Sequence, residues 1–313
     1  MTKFFAKKEY QKIAKVFKIG TIQNLHQFKG GLAAPKVLVK TTRGRFVIAK
    51  YKFGKGDNFK NKPRWALQNE VDLLNLLKGL PTPQYVADGK GDFILNHRGF
   101  GITVYRFLEG RTSRTFNGKQ VFELGRFLGN FHAQGLKLKN RFSKRHKFYH
   151  FPPARIREMK IHAYNQTHPK LKSVVRLVED GIRENSPPKY LPHGPIHVDF
   201  KHDNELFKGN TLTGIIDFGN FYRGPLMLDV GKAIIFNCAK NGKLDDKLIK
   251  RFLAGYSKYR KLDREEKKYL KRSIRYAIYS HIWLDLYHVP LNLVPETHTL
   301  YFVEEFLPAI AGL

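Results

Sequence analysis

The stretch HVDFKHDNELFKGNTLTGIIDFG, from His197 to Gly219, carries the most informative pattern of polar and apolar residues in the chain. Asp199 lies two residues after the His, Asn204 follows five positions later, and Asp217 ends an apolar run. The segments ELF and GIID between these polar groups are typical of short strands. The stretch therefore predicts a short β-rich insert that carries two carboxylates and an amide in one hairpin.

These three polar side chains have the chemistry that phosphoryl transfer from ATP requires. Transfer to a hydroxyl needs a carboxylate that aligns and deprotonates the acceptor, and it needs oxygen ligands for magnesium on the nucleotide phosphates. A His-x-Asp pattern by itself usually marks a turn with a capping Asp. The compound pattern, with strands between the polar groups, favours the catalytic interpretation over the turn.

The order of these groups resembles the catalytic loop and metal-binding Asp of the protein-kinase-like fold. The form seen here is similar to that of aminoglycoside phosphotransferases, choline kinases and related small-molecule kinases. The resemblance implies that Asp199 is the catalytic base and that Asn204 and Asp217 hold Mg²⁺, with ATP as the donor. It also implies that His197 braces the loop. The segment GPLMLDVGKAI looks like the end of the same signature, which gives Asp229 a bracing role.

The amino-terminal half carries candidates for holding the nucleotide. The fold requires a phosphate-binding Lys on a strand and an acidic partner on the next helix. FVIAKY places Lys50 on a predicted strand, and Glu70 lies on the helix that follows. In a chain with 57 cations, an edge lysine with its stem over apolar surface is the alternative for Lys50. A surface carboxylate is the alternative for Glu70.

Two further nucleotide contacts are implied by the resemblance. Gly30 and Gly31, in FKGGLAAPKVLV, would give the backbone room to approach the phosphates, although adjacent glycines also mark ordinary turns. The backbone from Tyr105 to Phe107, in the connector, is the predicted contact for adenine.

The order of predicted elements indicates an α+β, protein-kinase-like fold with two lobes. From about Ile22 to Tyr105, strand-like runs alternate with the helix WALQNEVDLLNLL, and KVLVKT and RFVIAKY form a predicted hairpin. After Glu109 the pattern becomes helical. We expect a small β-rich nucleotide-binding lobe, 1–106, a larger helical lobe with the catalytic and acceptor site, 107–313, and a ligand cleft at their junction. Helices are predicted over 121–134, 154–165, 170–184, 226–238, 245–258 and 264–287.

The composition is that of a soluble globular protein. Apolar residues make up 42% of the chain, and no apolar run approaches the roughly 18–20 residues needed to cross a bilayer. The basic start lacks the apolar stretch of a secretory signal. Cys238, the single cysteine, cannot form an intramolecular disulfide. We therefore expect a cytoplasmic protein without a membrane span.

The formal net charge of +31 raises the question of a polyanionic partner. A field of this size attracts nucleic acid and anionic surfaces. The cations are mostly dispersed along the chain, however, and the dense run over 260–272 includes acidic residues, as is typical of a solvated helix. We expect a lysine-rich surface that binds nucleic acid only adventitiously.

Within this superfamily, the sequence resembles most closely the bacterial homoserine kinases of the phosphotransferase type, over nearly the whole chain. The resemblance is carried by GRFVIAKY, NEVDLLNLLKGLPTPQYV, FLEGR, LGRFLGNFHAQ and the run from HVDF to GKAI. It implies L-homoserine as the hydroxyl acceptor. Homoserine is a zwitterion, so its site needs an anionic and a cationic partner, and Asn220, Arg223 and Asp285 are equal candidates.

The acceptor stays open at this point because the sequence departs from the homoserine kinase pattern at GGLAAP and at HGP before the catalytic His. Choline, aminoglycosides, methylthioribose, thiamine and sugars are accepted by related kinases and remain alternatives. A macromolecular acceptor is a further alternative, although no Ala-Pro-Glu segment follows Asp217. The alternative outside enzymes is a polyanion-binding pseudokinase, against which the intact set of catalytic residues stands.

Overall fold

The computed structural model describes residues 5–28, 34–54, 61–138, 141–142 and 151–313. The chain forms two compact units, Met1–Glu109 and Gly110–Leu313. Strands dominate the first unit and helices dominate the second, which confirms the predicted α+β class. Among the described residues, no helix is both long enough and apolar enough to span a membrane.

A six-stranded sheet forms the centre of the first unit. Its strands are β1 (Ile22–Gln27), β2 (Lys36–Thr41), β3 (Gly44–Phe53), β4 (Asn61–Lys62), β5 (Leu95–His97) and β6 (Phe100–Arg106). They lie in the order β1-β2-β3-β6-β5 with antiparallel neighbours, and β4 pairs in parallel with the end of β3. The predicted hairpin is β2–β3, and Val39 lies opposite Phe46 in its register.

Helices in the first unit are α1 (Lys7–Val16) and α2 (Arg64–Leu76). Helix α1 was not predicted, although Ile13, Ala14 and Phe17 have helical spacing. These residues are buried in one cluster with Phe46 and Ile48 of β3, so α1 covers one face of the sheet. Helix α2 is the predicted WALQNEVDLLNLL helix, and its apolar positions are buried as expected.

Eight helices are described in the second unit. All six helices predicted there are confirmed, and α9 and α10 were not predicted. The helices are α3 (Gly118–Lys137), α4 (Pro153–Tyr164), α5 (Pro169–Asn185), α6 (Leu226–Cys238), α7 (Asp246–Tyr256), α8 (Arg264–His288), α9 (Glu296–Glu305) and α10 (Leu307–Ala311).

The strands of the second unit form three short antiparallel pairs: β7 with β10, β8 with β9 and β11 with β12. The predicted insert is therefore confirmed, and the hairpin β8–β9 forms its centre. The strands are β7 (His193–Ile196), β8 (Glu205–Lys208), β9 (Thr211–Ile215), β10 (Tyr222–Pro225), β11 (Ala239–Lys240) and β12 (Lys243–Leu244).

Helices α3 and α7 approach each other closely because glycines lie at their contact. A Cβ atom on Gly125 would lie 2.1 Å from the carbonyl oxygen of Phe252. A Cβ atom on Gly129 would lie 2.3 Å from the carbonyl oxygen of Tyr256. Both obstacles are backbone atoms, so only glycine permits this helix spacing. The approach also brings His132 of α3 against the Tyr256 ring.

We expect Gly125→Ala to lower the free energy of unfolding by about 1–3 kcal/mol, because the added methyl group forces the two helices apart. The matched control is Gly118→Ala in the same helix, where the added Cβ would meet only the Arg251 side chain, at an ordinary 3.7 Å. Urea unfolding of both variants measures the effect. Equal stability of the two variants would contradict the proposed backbone contact.

Candidate active site

The loop that carries Asp199 is fixed by a buried carboxylate on α6. Oδ2 of Asp229 accepts a hydrogen bond from the His197 backbone N–H at 2.6 Å, and Oδ1 accepts one from Val198 at 2.7 Å. Val198 has φ +73°, a left-handed conformation that is costly for a β-branched residue. Such strain costs about 1–3 kcal/mol, and each hydrogen bond to a charged group contributes about 1.5–3 kcal/mol. The two bonds therefore offset the strain and fix the position of Asp199.

His197 connects this loop to the strand that leads to Asp217. Its Nε2 lies 2.9 Å from the Ile216 carbonyl oxygen, which can only accept, so Nε2 carries the hydrogen. Its Nδ1 is then free to accept the Asp199 backbone N–H at 3.2 Å. The neutral Nε2–H tautomer satisfies both contacts, and His197 has the bracing position that the sequence resemblance implied.

A chain of buried polar groups, which no sequence motif predicted, connects to Asp229. His132 Nε2 lies 3.3 Å from Asp229 Oδ2, and its Nδ1 lies 2.8 Å from the Tyr256 hydroxyl. Arg260 donates to the same hydroxyl at 2.9 Å. The Tyr256 hydroxyl therefore accepts from Arg260 and donates to Nδ1, which leaves the Nε2–H of His132 to donate to Asp229. Burial lowers the pKa of His132 despite the neighbouring carboxylate, so its imidazole is neutral at physiological pH.

Asn204 and Asp217 lie next to each other where the β8–β9 hairpin opens, since the Ile216 N–H donates to the Asn204 carbonyl at 3.0 Å. The Asn204 amide nitrogen donates to the Asp199 carbonyl at 2.8 Å, so the side-chain oxygen of Asn204 is left to accept a hydrogen bond or to bind a metal ion.

Asp217 has a left-handed backbone conformation, with φ +66°. Within the described ranges, its half-buried carboxylate has no hydrogen-bond or ion-pair partner. An amide oxygen and an unpaired carboxylate are the donor types that Mg²⁺ prefers, so the residues fit such an ion.

The Asp199 carboxylate is buried beside a lysine. Lys201 Nζ lies 3.3 Å from Asp199 Oδ1. Burial alone would raise the pKa of Asp199, but the charges of Lys201 and Lys232 outweigh it and hold that pKa below its ordinary value. The carboxylate is therefore ionised at neutral pH and able to accept a hydrogen bond from a hydroxyl group.

In the first unit, Glu70 of α2 is buried and has two polar partners. Its Oε1 accepts a hydrogen bond from the Tyr85 hydroxyl at 2.9 Å, and its Oε2 forms an ion pair with Lys62 of β4. The Lys62 ammonium also lies over the Tyr51 ring, 5.2 Å from its centre. These contacts place Glu70, Lys62 and Tyr51 on one side of the sheet.

Lys50 lies on the other side of the sheet, because side chains alternate along a strand and Tyr51 is its neighbour. Its ammonium lies over the rings of Phe5 and Phe100, 4.4 and 4.0 Å from their centres. The structure therefore does not bring Lys50 and Glu70 together, and the acidic residue that we expected beside Lys50 pairs with Lys62 instead. The one-residue offset along β3 decides the face, and the sequence pattern did not reveal it.

The two predicted adenine contacts lie at the end of β6. Tyr105 packs edge-on against Tyr85, with ring centres 5.6 Å apart. The Phe107 backbone N–H donates to the Arg45 carbonyl at 3.0 Å, so this donor is already used within the unit. Gly30 and Gly31, the predicted phosphate-loop glycines, lie outside the described residues.

Comparison with known proteins defines the class. The model of the phosphotransferase enzyme family matches residues 24–266. The homoserine kinase of Xanthobacter autotrophicus is 29% identical over 267 residues, which cover 83% of this chain and 79% of the relative. The homoserine kinase of Polaromonas naphthalenivorans is 24% identical, over 87% and 85% of the two chains.

Among solved structures, a spectinomycin phosphotransferase in complex with ADP and spectinomycin superimposes with a TM-score of 0.71 at 16% identity, over 98% of this chain and 97% of that one. A microcompartment-associated aminopropanol kinase gives a TM-score of 0.69 at 15% identity, over 98% and 96%. The predicted protein-kinase-like fold is confirmed by these likenesses.

The chain belongs to the phosphotransferase enzyme family. It is an ATP-dependent phosphotransferase, as the sequence predicted, and its relatives indicate a small-molecule acceptor.

We expect Asp229→Asn to lower the free energy of unfolding by about 2–3 kcal/mol, because one backbone N–H of the loop would then face an amide N–H₂ in a buried site. The control is Asp245→Asn. Asp245 caps the start of α7, and Asn caps a helix about as well as Asp. Urea unfolding at neutral pH compares the two variants, and an Asp229→Asn protein as stable as the control would refute the bracing role.

Proposed function

We propose that this enzyme transfers the γ-phosphoryl group of ATP to the side-chain hydroxyl of L-homoserine. The main structural support for this proposal is the ionised, buried Asp199 carboxylate on a loop held by Asp229. The choice of acceptor is supported by the relatives named homoserine kinase, which align with more than four-fifths of the chain.

In the proposed reaction, Asp199 accepts a hydrogen bond from the acceptor hydroxyl and so directs the hydroxyl oxygen of the acceptor at the γ-phosphorus. The new bond forms between the acceptor oxygen and phosphorus while the bond from phosphorus to the leaving ADP oxygen breaks. The hydroxyl proton passes to Asp199. The lowered pKa of Asp199 makes it a weak base. It therefore acts mainly by orienting the hydroxyl, with a late proton transfer, which suits the loose transition state of phosphoryl transfer.

Asn204 and Asp217 would hold Mg²⁺, which when bound neutralises charge on the nucleotide phosphates. The donor set fits because the Asp217 carboxylate is unpaired in the described part of the chain and the Asn204 amide nitrogen is engaged by the Asp199 loop. The same hydrogen bond ties the position of the metal ligand to the position of the base.

For the nucleotide phosphates we favour Lys62 over the Lys50 of the sequence prediction. The lysine of this fold is oriented by an acidic residue on the following helix, and in the structure Glu70 of α2 pairs with Lys62. The Tyr85 hydroxyl holds the other Glu70 oxygen, so the carboxylate has a fixed direction. Tyr105 and Phe107 remain the proposed adenine contacts, through backbone groups other than the Phe107 N–H.

The acceptor is tested with ATP, Mg²⁺ and a panel of L-homoserine, aminopropanol, choline, an aminoglycoside, methylthioribose and thiamine, with ADP release as the measurement. We expect turnover with homoserine and a loss of about 10²–10⁴-fold in Asp199→Asn. Turnover of another panel member in place of homoserine would overturn the acceptor but keep the phosphotransferase. An Asp199→Asn protein with full activity would overturn the catalytic assignment.

The two lysines are distinguished by Lys62→Met and Lys50→Met, which keep most of the side-chain volume. We expect Lys62→Met to lower kcat/KM for ATP by about 10²–10³-fold, the usual effect of removing one electrostatic contact to the transition state. Lys50→Met should change it less than about tenfold. Steady-state kinetics with varied ATP measures both. The reverse order would restore the original assignment of Lys50.

A further inference from the structure

A second buried carboxylate, Asp285 of α8, lies near the catalytic loop, and two histidines are its nearest polar neighbours among the described residues. Its Oδ2 is 3.8 Å from Nε2 of His281 and 3.9 Å from Nε2 of His298, distances too long for hydrogen bonds. In the described part of the chain this buried oxygen has no hydrogen-bond partner. A buried ionised carboxylate without a donor is costly, so the arrangement points to a ligand that supplies one.

Positive charge surrounds the same place. The Lys201 and Lys232 ammonium groups are buried, and both act electrostatically on Asp199 and on Asp285. Lys201 pairs with Asp199, and the Lys232 ammonium lies 3.4 Å from Nδ1 of His281. Of these described side chains, His298 is the most exposed to solvent, at 38%. The acceptor cluster, as we call this group, consists of Lys201, Lys232, His281, Asp285 and His298.

We propose that Asp285 binds the protonated amine of the phosphoryl acceptor while the acceptor hydroxyl faces Asp199. The acceptor class is then an alcohol that carries an amine, and the two lysines suit one that also carries a carboxylate. The inference rests on the proposed transfer to a small hydroxyl compound and selects Asp285 from the three candidates that the sequence left equal.

A divalent metal is the competing occupant, because ligand atoms of His281, Asp285 and His298 all lie within 4.8 Å of one another. The Lys232 ammonium can only donate, so its contact makes Nδ1 of His281 the accepting nitrogen and leaves the hydrogen on Nε2. A nitrogen that carries a hydrogen has no lone pair for a metal. An ammonium ligand needs only the Asp285 oxygen, so the observations favour it.

Titration of Asp285 gives a signature that a structural role would not produce. Burial raises the pKa of Asp285 to about 7, partly opposed by the two lysines. Below that pH the carboxyl is neutral and loses its attraction for an ammonium group, so kcat/KM for the acceptor should fall. The groups that face Asp285 are Asp199 and Lys201 from the loop, Lys232 from α6, His281 from its own helix and His298 from α9.

The test begins with the wild-type enzyme and three acceptors. They are L-homoserine, γ-hydroxybutyrate, which lacks the amine of homoserine, and 3-amino-1-propanol, which lacks its carboxylate. We expect both amines to be used and the KM of γ-hydroxybutyrate to exceed that of homoserine by about 30-fold or more, since an unpaired buried charge remains. Efficient use of γ-hydroxybutyrate would overturn the proposal without touching the transferase activity. No turnover of either amine would overturn both the amine-binding role of Asp285 and the proposed transfer to homoserine.

The second arm uses Asp285→Asn, with Glu265→Gln at the exposed start of the same helix as the matched control. We expect the variant to raise the KM for homoserine by about 30-fold and to leave the KM for ATP within about twofold. The fall in kcat/KM below pH 7 should disappear. A thermal unfolding midpoint equal to that of the control shows that the variant is folded. An unchanged KM for homoserine overturns the proposal, and so does stoichiometric zinc or another divalent metal retained by the purified wild-type protein and lost in Asp285→Asn.

Discussion

Two hydrogen bonds from the backbone of His197 and Val198 to one buried carboxylate hold the catalytic loop in place. Without Asp229 the left-handed Val198 would relax, because a β-branched residue does not keep that conformation unaided. Asp199 would then lose its direction, and Asn204 would lose the loop carbonyl to which it donates. The glycine contact between α3 and α7 belongs to the same system, since it brings Tyr256 to His132 and so supports Asp229.

Charge is arranged in the site quite differently from the rest of this basic chain. The chain has 57 cations against 26 acidic residues, and several of its exposed carboxylates form ion pairs, as Glu304 does with Lys170. Burial makes the difference at the functional positions, because it removes the solvent that would screen such pairs. The pKa of Asp199 is lowered, so this residue stays ionised beside Lys201. The pKa of Asp285, which is also buried, is raised to about 7. Two carboxylates with separated pKa values can serve two roles, hydroxyl orientation and amine recognition.

The fold, and those site residues that lie close together in the sequence, could be predicted because their signals are local. The hairpin β2–β3, helix α2 and the six helices of the second unit follow from periodicity, and Asp199, Asn204 and Asp217 share one short stretch. The partners that depend on tertiary packing could not be predicted. Lys62 meets Glu70 because β4 pairs with the end of β3. Lys50, which the sequence pattern paired with Glu70, lies on the opposite face of the sheet. His298 and Asp285 meet through two helices whose contact no sequence pattern encodes.

We propose above all that Asp199, held by Asp229, orients the hydroxyl of homoserine for transfer. A crystal structure with a non-hydrolysable ATP analogue, Mg²⁺ and L-homoserine tests it most directly. We expect the homoserine hydroxyl at roughly 2.6–3.2 Å from an Asp199 oxygen, with Mg²⁺ on Asn204 and Asp217. A homoserine molecule bound with its hydroxyl away from Asp199, or a metal held by other residues, would contradict the account.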